Sequence, residues 1–168
     1  MNWEDEDLRS TLRSWLRGAE RVVVAGIGSP LRRDDYIGVK IVKDLKNLKA
    51  LPEDKILLIE CGTVPENFTK TIGNFEPTHI LLIDAALLNL PPGSTRLIKP
   101  DEIGGVAVST HTLPLNILCR YLTEVTDAKT ALLGVQPKDT SLGEGMSEEL
   151  IKAAARLERL IMDVLSML

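Results

Sequence analysis

An α/β fold, a three-layer α/β/α sandwich with helices on both faces of a mostly parallel twisted sheet, is what this sequence predicts. Two observations carry that reading. Short apolar runs at 22–25, 56–59, 80–83 and 131–133 are rich in Val, Ile and Leu, the composition of strands buried on both faces. Between them lie segments whose apolar residues repeat at helical spacing, and strands alternating with helices imply parallel pairing through crossovers. The 168 residues match a single domain of the usual ~150-residue size, so residues 1–168 are read as one unit, with 1–20 as an N-terminal helical extension.

In chain order, residues 6–18 read as an amphipathic helix with Leu8, Leu12, Trp15 and Leu16 on one face. Residues 22–38, VVVAGIGSPLRRDDYIG, are the stretch the rest is organised around. An apolar strand runs into Gly26-Ile27-Gly28, where the backbone must turn sharply or admit a close neighbour. Asp34 and Asp35 follow, and then a helix with Ile37, Ile41, Leu45 and Leu48 on one face. Residues 55–60 read as the second strand, ending at Glu60, with Cys61-Gly62-Thr63 turning into a short helical segment over 65–72. Residues 79–83 read as the third strand, ending at Asp84. A turn at Pro91-Pro92-Gly93 precedes a weaker strand at 94–98 and a loop over 100–110. His111 opens a helix with Leu115, Leu118 and Leu122 buried and Pro114 in its first turn. Residues 130–135 are the last strand. After a loop, Ser147 caps a helix that carries Glu148 and Glu149 in its first turn and buries Leu150, Ala154, Leu157, Ile161 and Val164.

Composition narrows the function classes. With 44% hydrophobic and 26% charged residues the chain has the balance of an ordinary globule. A net charge of −4 and the lack of a basic block argue against nucleic acid. Two cysteines, Cys61 and Cys119, are too few for a disulfide framework or a cysteine-rich zinc site. The acidic N-terminus lacks a signal-peptide core, and every apolar run falls well short of the roughly 18 residues of a membrane span. The expectation is a cytoplasmic protein with no membrane or nucleic-acid partner.

The chemistry-bearing residues follow the strand ends. In a parallel sheet the segments carrying Asp34 and Asp35, Glu60, Asp84, and the loop to His111 all reach one edge, where open α/β sheets place ligands. Two carboxylates and an imidazole there suit a borderline divalent metal such as nickel, zinc, iron or manganese. Each group also has an ordinary structural reading. Either acid of Asp34-Asp35 can cap the helix near Ile37. Asp84 can cap the segment after its strand, and His111 can be a helix-start residue. Glu60 can accept from loop amides near Gly62 and Thr63. His79 reads as an edge residue, Cys61 and Cys119 as small buried hydrophobes, and Arg32 and Arg33 as solvated or facing an anion. The GIGSPL turn is a poor dinucleotide fingerprint, because the third glycine is missing and the acids would repel phosphate. A nucleotide-binding domain is the weakest reading.

These residues also carry a family resemblance. GIGSPLRRDDYIG resembles the G-x-G-N-x-L-x-x-D-D/E-x-x-G signature of the nickel–iron hydrogenase maturation endopeptidases. ECGT resembles the family's D-x-G-T segment and LLIDAA its third-strand acid. THTLPLNIL and GVQP resemble the branch that processes formate-hydrogenlyase-type large subunits. The resemblance runs from about residue 22 into the last helix. It implies the α/β/α sandwich and an endopeptidase that removes the C-terminal extension of a hydrogenase large-subunit precursor after nickel insertion. It places the metal contacts on Asp35, Asp84 and His111, with Asp35 and Asp84 as the catalytic acids. Nickel is then supplied by the precursor rather than held by the free enzyme. Either metal assistance or a proton-sharing carboxylate pair serves as mechanism. A nickel- or precursor-binding module without peptidase activity is the alternative. Ser29, Tyr36 and Glu60 depart from the family pattern, at positions usually held by Asn, often by Gly, and usually by Asp.

Overall fold

The computed structural model describes residues 3–108 and 114–168. Its elements are α1 (Trp3–Trp15), β1 (Val22–Ile27), a 3-10 turn (Arg33–Tyr36) leading into α2 (Ile37–Leu48), and β2 (Ile56–Gly62). A second 3-10 turn (Pro65–Phe68) leads into α3 (Thr69–Phe75), followed by β3 (His79–Leu87), β4 (Thr95–Ile98) and α4 (Pro100–Ile103). The chain finishes with β5 (Ala107–Val108), α5 (Leu115–Thr126), β6 (Lys129–Val135) and α6 (Glu148–Leu165).

The strands lie in the order β2-β1-β3-β6-β4, with β5 beside the end of β3. β2, β1, β3 and β6 are mutually parallel, while β4 runs against β6 and β5 against β3. Every residue of β1 is buried, as is β3 up to Leu87 and β6 beyond Lys129. Strands covered on both faces need unbroken apolar runs, which is why these three were plain in the sequence. Side chains alternate across the sheet and so feed two cores. Val22, Val24, Leu81, Ile83, Leu133 and Val135 pack with α1, α2 and α6. Val23, Ala25, Ile27, Ile80, Leu82 and Leu132 pack with α3, α4 and α5. The three-layer sandwich is therefore the observed architecture.

Several elements differ from expectation. β2 continues through Glu60 to Gly62 and β3 through Asp84 to Leu87, so neither acid ends its strand. The 100–110 stretch is more than a loop, since it holds α4 and β5. Pro100 opens α4, and the Lys99 backbone N–H donates to the Glu102 carboxylate at 3.0 Å. Leu48 is 50% exposed and leaves the buried face of α2. α5 begins at Leu115 with Pro114 at its N-cap rather than inside its first turn. The expected helix start at His111 lies outside the described residues.

β1 crosses through α2 to β2 on one side, while β3 lies on its other side. Connections therefore leave β1 and β3 in opposite directions, which opens a crevice outside their carboxyl ends. The opposite edge is closed by α1. Arg9 and Arg13 both pair with Asp163 of α6, and Arg156 reaches Asp5 at 3.1 Å. His79, buried at the start of the central strand β3, meets Trp15 edge to face at 5.1 Å. Its Nε2 lies 3.0 Å from the Trp15 carbonyl, and since a carbonyl only accepts, Nε2 carries the proton. His79 is thus an interior fastening for α1, not an edge residue.

Candidate active site

Three glycines set the crevice floor. A Cβ on Gly26 would lie 2.2 Å from the Gly38 carbonyl oxygen. One on Gly28 would lie 1.8 Å from that of Asp35, and one on Gly38 2.0 Å from that of Ile83. These separations are far below contact distance, so the 33–36 turn and the first turn of α2 rest directly on the backbone of β1 and β3. Gly28 also has φ +144°, which side chains rarely adopt. The glycine signal in the sequence thus serves close backbone packing that carries the acidic turn onto the sheet edge.

Asp35 and Asp84 are both fully buried. Asp35 Oδ2 accepts from the Ser29 N–H at 2.9 Å, which ties the acid back across the glycine turn. Asp84 Oδ1 accepts from the Ala85 N–H at 2.9 Å. Gly26 pairs with Ile83, so Asp84 stands one step beyond, level with the exit of β1, and the 33–36 turn contacts β3. The structure therefore brings the segments of Asp35 and Asp84 together at the carboxyl edge. Two carboxylates in such a crevice can act as general bases or as hard oxygen ligands. Among the described residues no three metal-ligating side chains gather, and His111 lies outside them.

Asp34 has a different task. Neither acid caps α2, which has no side-chain cap bond. Asp34 is fully buried and faces the segment between β6 and α6. Its Oδ2 accepts from Lys138 N, Asp139 N and Ser147 Oγ, each at 2.9 Å, and its Oδ1 from Ser147 N at 2.7 Å. The backbones join as well, with Arg33 N donating to Gly143 O at 3.0 Å, Asp34 N to Asp139 O at 3.0 Å and Gly143 N to Leu31 O at 2.7 Å. Ser147 does occupy the N-cap of α6, but its hydroxyl is engaged by Asp34 and makes no cap bond. Nothing local in the sequence announces this contact, because the partners are more than 100 residues apart.

The remaining candidates fall elsewhere. Glu60 stands within β2 and pairs with Lys46 Nζ at 3.2 Å rather than with loop amides. Arg33 turns toward the same late loop, 3.5 Å from Asp139 and 3.4 Å from the Glu144 carbonyl. Arg32 is half-buried, and its enclosed Nε has no hydrogen-bond partner among the described residues. Cys61 and Cys119 are buried free thiols, each pushed up to about 12 by burial. Gln136, part of the GVQP segment, fastens the end of β6 to the chain leaving β3. Its Oε1 accepts from Leu88 N at 2.6 Å and its Nε2 donates to the Pro137 carbonyl at 3.1 Å.

The family model described as hydrogenase maturation protease matches residues 39–164. A Methanocaldococcus jannaschii protein named as a candidate hydrogenase maturation protease is 39% identical over 138 residues, spanning 78% of this chain and 80% of that protein. The hydrogenase 3 maturation protease of Escherichia coli is 33% identical over 116 residues, spanning 68% of this chain and 72% of it. Among solved structures, a NiFe hydrogenase maturation protease from Thermococcus kodakarensis superposes with a TM-score of 0.85 at 35% identity, covering 93% of this chain and 99% of that one.

Proposed function

This chain belongs to the hydrogenase maturation protease family, and from that premise we propose that it removes the C-terminal extension of a nickel–iron hydrogenase large-subunit precursor once nickel has been inserted. The observation that carries the proposal is the placement of two fully buried carboxylates, Asp35 in the turn after β1 and Asp84 within β3 level with the exit of β1. Buried carboxylates cost the fold unless donors offset their lost hydration, and ionisable groups held in a cleft are functional-site candidates.

In this reading the scissile peptide enters the crevice between the 29–35 turn and the end of β3. A carboxylate takes a proton from the attacking water, the water oxygen adds to the carbonyl carbon, and the proton passes to the departing amine as the C–N bond breaks. The nickel carried by the precursor meets Asp35, Asp84 and His111, and so reports that loading is complete. The donor set suits it, since two carboxylate oxygens and an imidazole match a borderline divalent ion. Val108 pairs with Ala86, two residues beyond Asp84, and His111 follows three residues later.

The test is mass spectrometry of a nickel-loaded large-subunit precursor before and after incubation with this protein, beside a nickel-free control. A discrete C-terminal loss only in the loaded sample is expected. Loss in both samples would keep the peptidase and discard nickel as the gate. Stable association without shortening would turn the assignment to a precursor-binding module.

A further inference from the structure

The first acid of the Asp34-Asp35 pair is fully engaged away from the crevice. Its four donors among the described residues all come from one remote segment, Lys138, Asp139 and Ser147, two of them at the N-cap of α6. We propose that Asp34 is a positioning residue for the proposed peptidase site, holding the 33–36 turn at the rotation that aims Asp35 into the crevice. This rests on the peptidase reading above.

Geometry carries the argument. The turn 33–36 is short, and Asp34 and Asp35 are adjacent within it, so their side chains leave the backbone in different directions. The turn has a floor, because Gly28, Gly38 and the ends of β1 and β3 bear on it from below. That floor holds the turn from the sheet side, through the close approaches at Gly28 and Gly38. The Asp34 carboxylate, together with the Asp34 N–H to Asp139 O and Arg33 N–H to Gly143 O bonds, anchors it on the outer side. Asp35 then lies with Oδ2 on the Ser29 N–H. An anchor that accepts on both oxygens resists rotation better than a single bond. A small misalignment of a reacting group lowers rate far more than it lowers stability.

The substitution Asp34→Asn tests this, because an NH2 group must then face at least one of the backbone N–H donors. Two measurements are made on the full chain, cleavage kinetics with the nickel-loaded precursor and backbone amide exchange by NMR. The expected result is a fall in kcat of roughly tenfold or more, with KM changed less than about twofold. The Ser29 amide, which does not touch Asp34, is expected to exchange faster. Ser147→Ala removes only the hydroxyl donor and is expected to act in the same direction more weakly, with Ser147→Thr restoring wild-type behaviour. If Asp34→Asn does not fold, Ser147→Ala and its Thr rescue carry the test. Faster exchange confined to Lys138, Asp139 and Ser147, with kcat and Ser29 unchanged, would reduce Asp34 to a loop anchor and overturn the proposal. If the wild-type protein leaves the precursor intact, the peptidase reading fails, and Ser29 exchange still decides whether Asp34 positions Asp35.

Discussion

The two edges of the sheet bury polar groups in opposite ways. At the amino edge, His79 and Thr130 are enclosed as neutral groups facing structural neighbours, the Trp15 carbonyl and the Thr123 hydroxyl. At the carboxyl edge, Asp34, Asp35 and Asp84 are enclosed as three acids within two neighbouring segments. Neutral, paired groups cost the fold little. Like acids packed together oppose folding and need donors to offset them. Donors meet all three, the Ser29 N–H on Asp35, the Ala85 N–H on Asp84 and four on Asp34 that close the late loop. Burial alone therefore does not distinguish an interior fastening from a working group. The kind of group and the segment that holds it do.

The sharpest way to break this comparison is to neutralise one acid at each role. Asp84→Asn keeps an oxygen for the Ala85 N–H and removes the carboxylate. We expect cleavage of the nickel-loaded precursor to fall by about 1,000-fold, within the usual range for losing a general base. The melting temperature should move by no more than about 3 °C, equivalent to roughly 1 kcal/mol for a chain of this size. A large loss of stability with activity per folded molecule retained would place Asp84 with the structural groups.

Gly38→Ala attacks the floor instead of the acids. Its Cβ would meet the Ile83 and Ile27 carbonyl oxygens at 2.0 and 2.5 Å, and both are backbone atoms of central strands with no room to yield. We expect a stability loss of about 3 kcal/mol, the upper range for overpacking, read by denaturant unfolding. Activity in the folded fraction should fall too, because α2 must lift and carry Asp35 with it. Gly73→Ala is the control, since a Cβ there meets nothing within 4 Å.

What the sequence disclosed follows the same division. The central strands were legible because burial on both faces demands unbroken apolar runs, and the acidic turn of Asp34 and Asp35 because it follows a strand directly, while the choice of Asp35 within it rests on the family resemblance. Asp84 was placed at a strand end, whereas pairing with β6 through Ala85 and with β5 at Ala86 and Leu87 draws β3 past it. The role of Asp34 was hidden because its partners lie in another loop, and apolar periodicity says nothing of such contacts. His79 was misplaced because periodicity shows that a strand exists but not that it will be central. α4 was missed although Pro100 and Glu102 carry a helix-start pattern, since a four-residue helix has no periodicity to find.

A milder break falls at the amino edge. His79→Phe keeps a ring against Trp15 but leaves the Trp15 carbonyl without its donor. A cost of about 1–2 kcal/mol is expected, with kcat unchanged. The same residue sharpens the comparison through pH. Burial, the largest cause, holds the imidazole below its ordinary 6.5, so the unfolded chain takes up a proton before the native one does. The stability His79 contributes is therefore complete above pH 6.5 and is lost as pH falls through its lowered native value. Thermal unfolding between pH 8 and 5 should show this decline in the wild type and a shallower one in His79→Phe. Equal slopes would remove His79 as the titrating group.

The smallest expected effect concerns Cys61, which sits one residue before Gly62 at the carboxyl edge yet is 2% exposed. Burial, opposed only in part by Lys46, pushes its thiol up to about 12 from an ordinary 9.0. Cys119, buried in the same core, is pushed as far. A thiol needs its thiolate to react, so proximity to the crevice confers no nucleophile. Native protein at pH 8 should resist iodoacetamide and keep full cleavage activity, with both thiols alkylated once denatured. The sign of the linkage gives a second reading. Because native pKa values are raised, the stabilisation is complete below pH 9.0 and is lost as pH climbs toward 12. Rapid alkylation of Cys61 with parallel loss of cleavage would move this thiol from the core into the site, and would redraw the boundary between the two kinds of buried group.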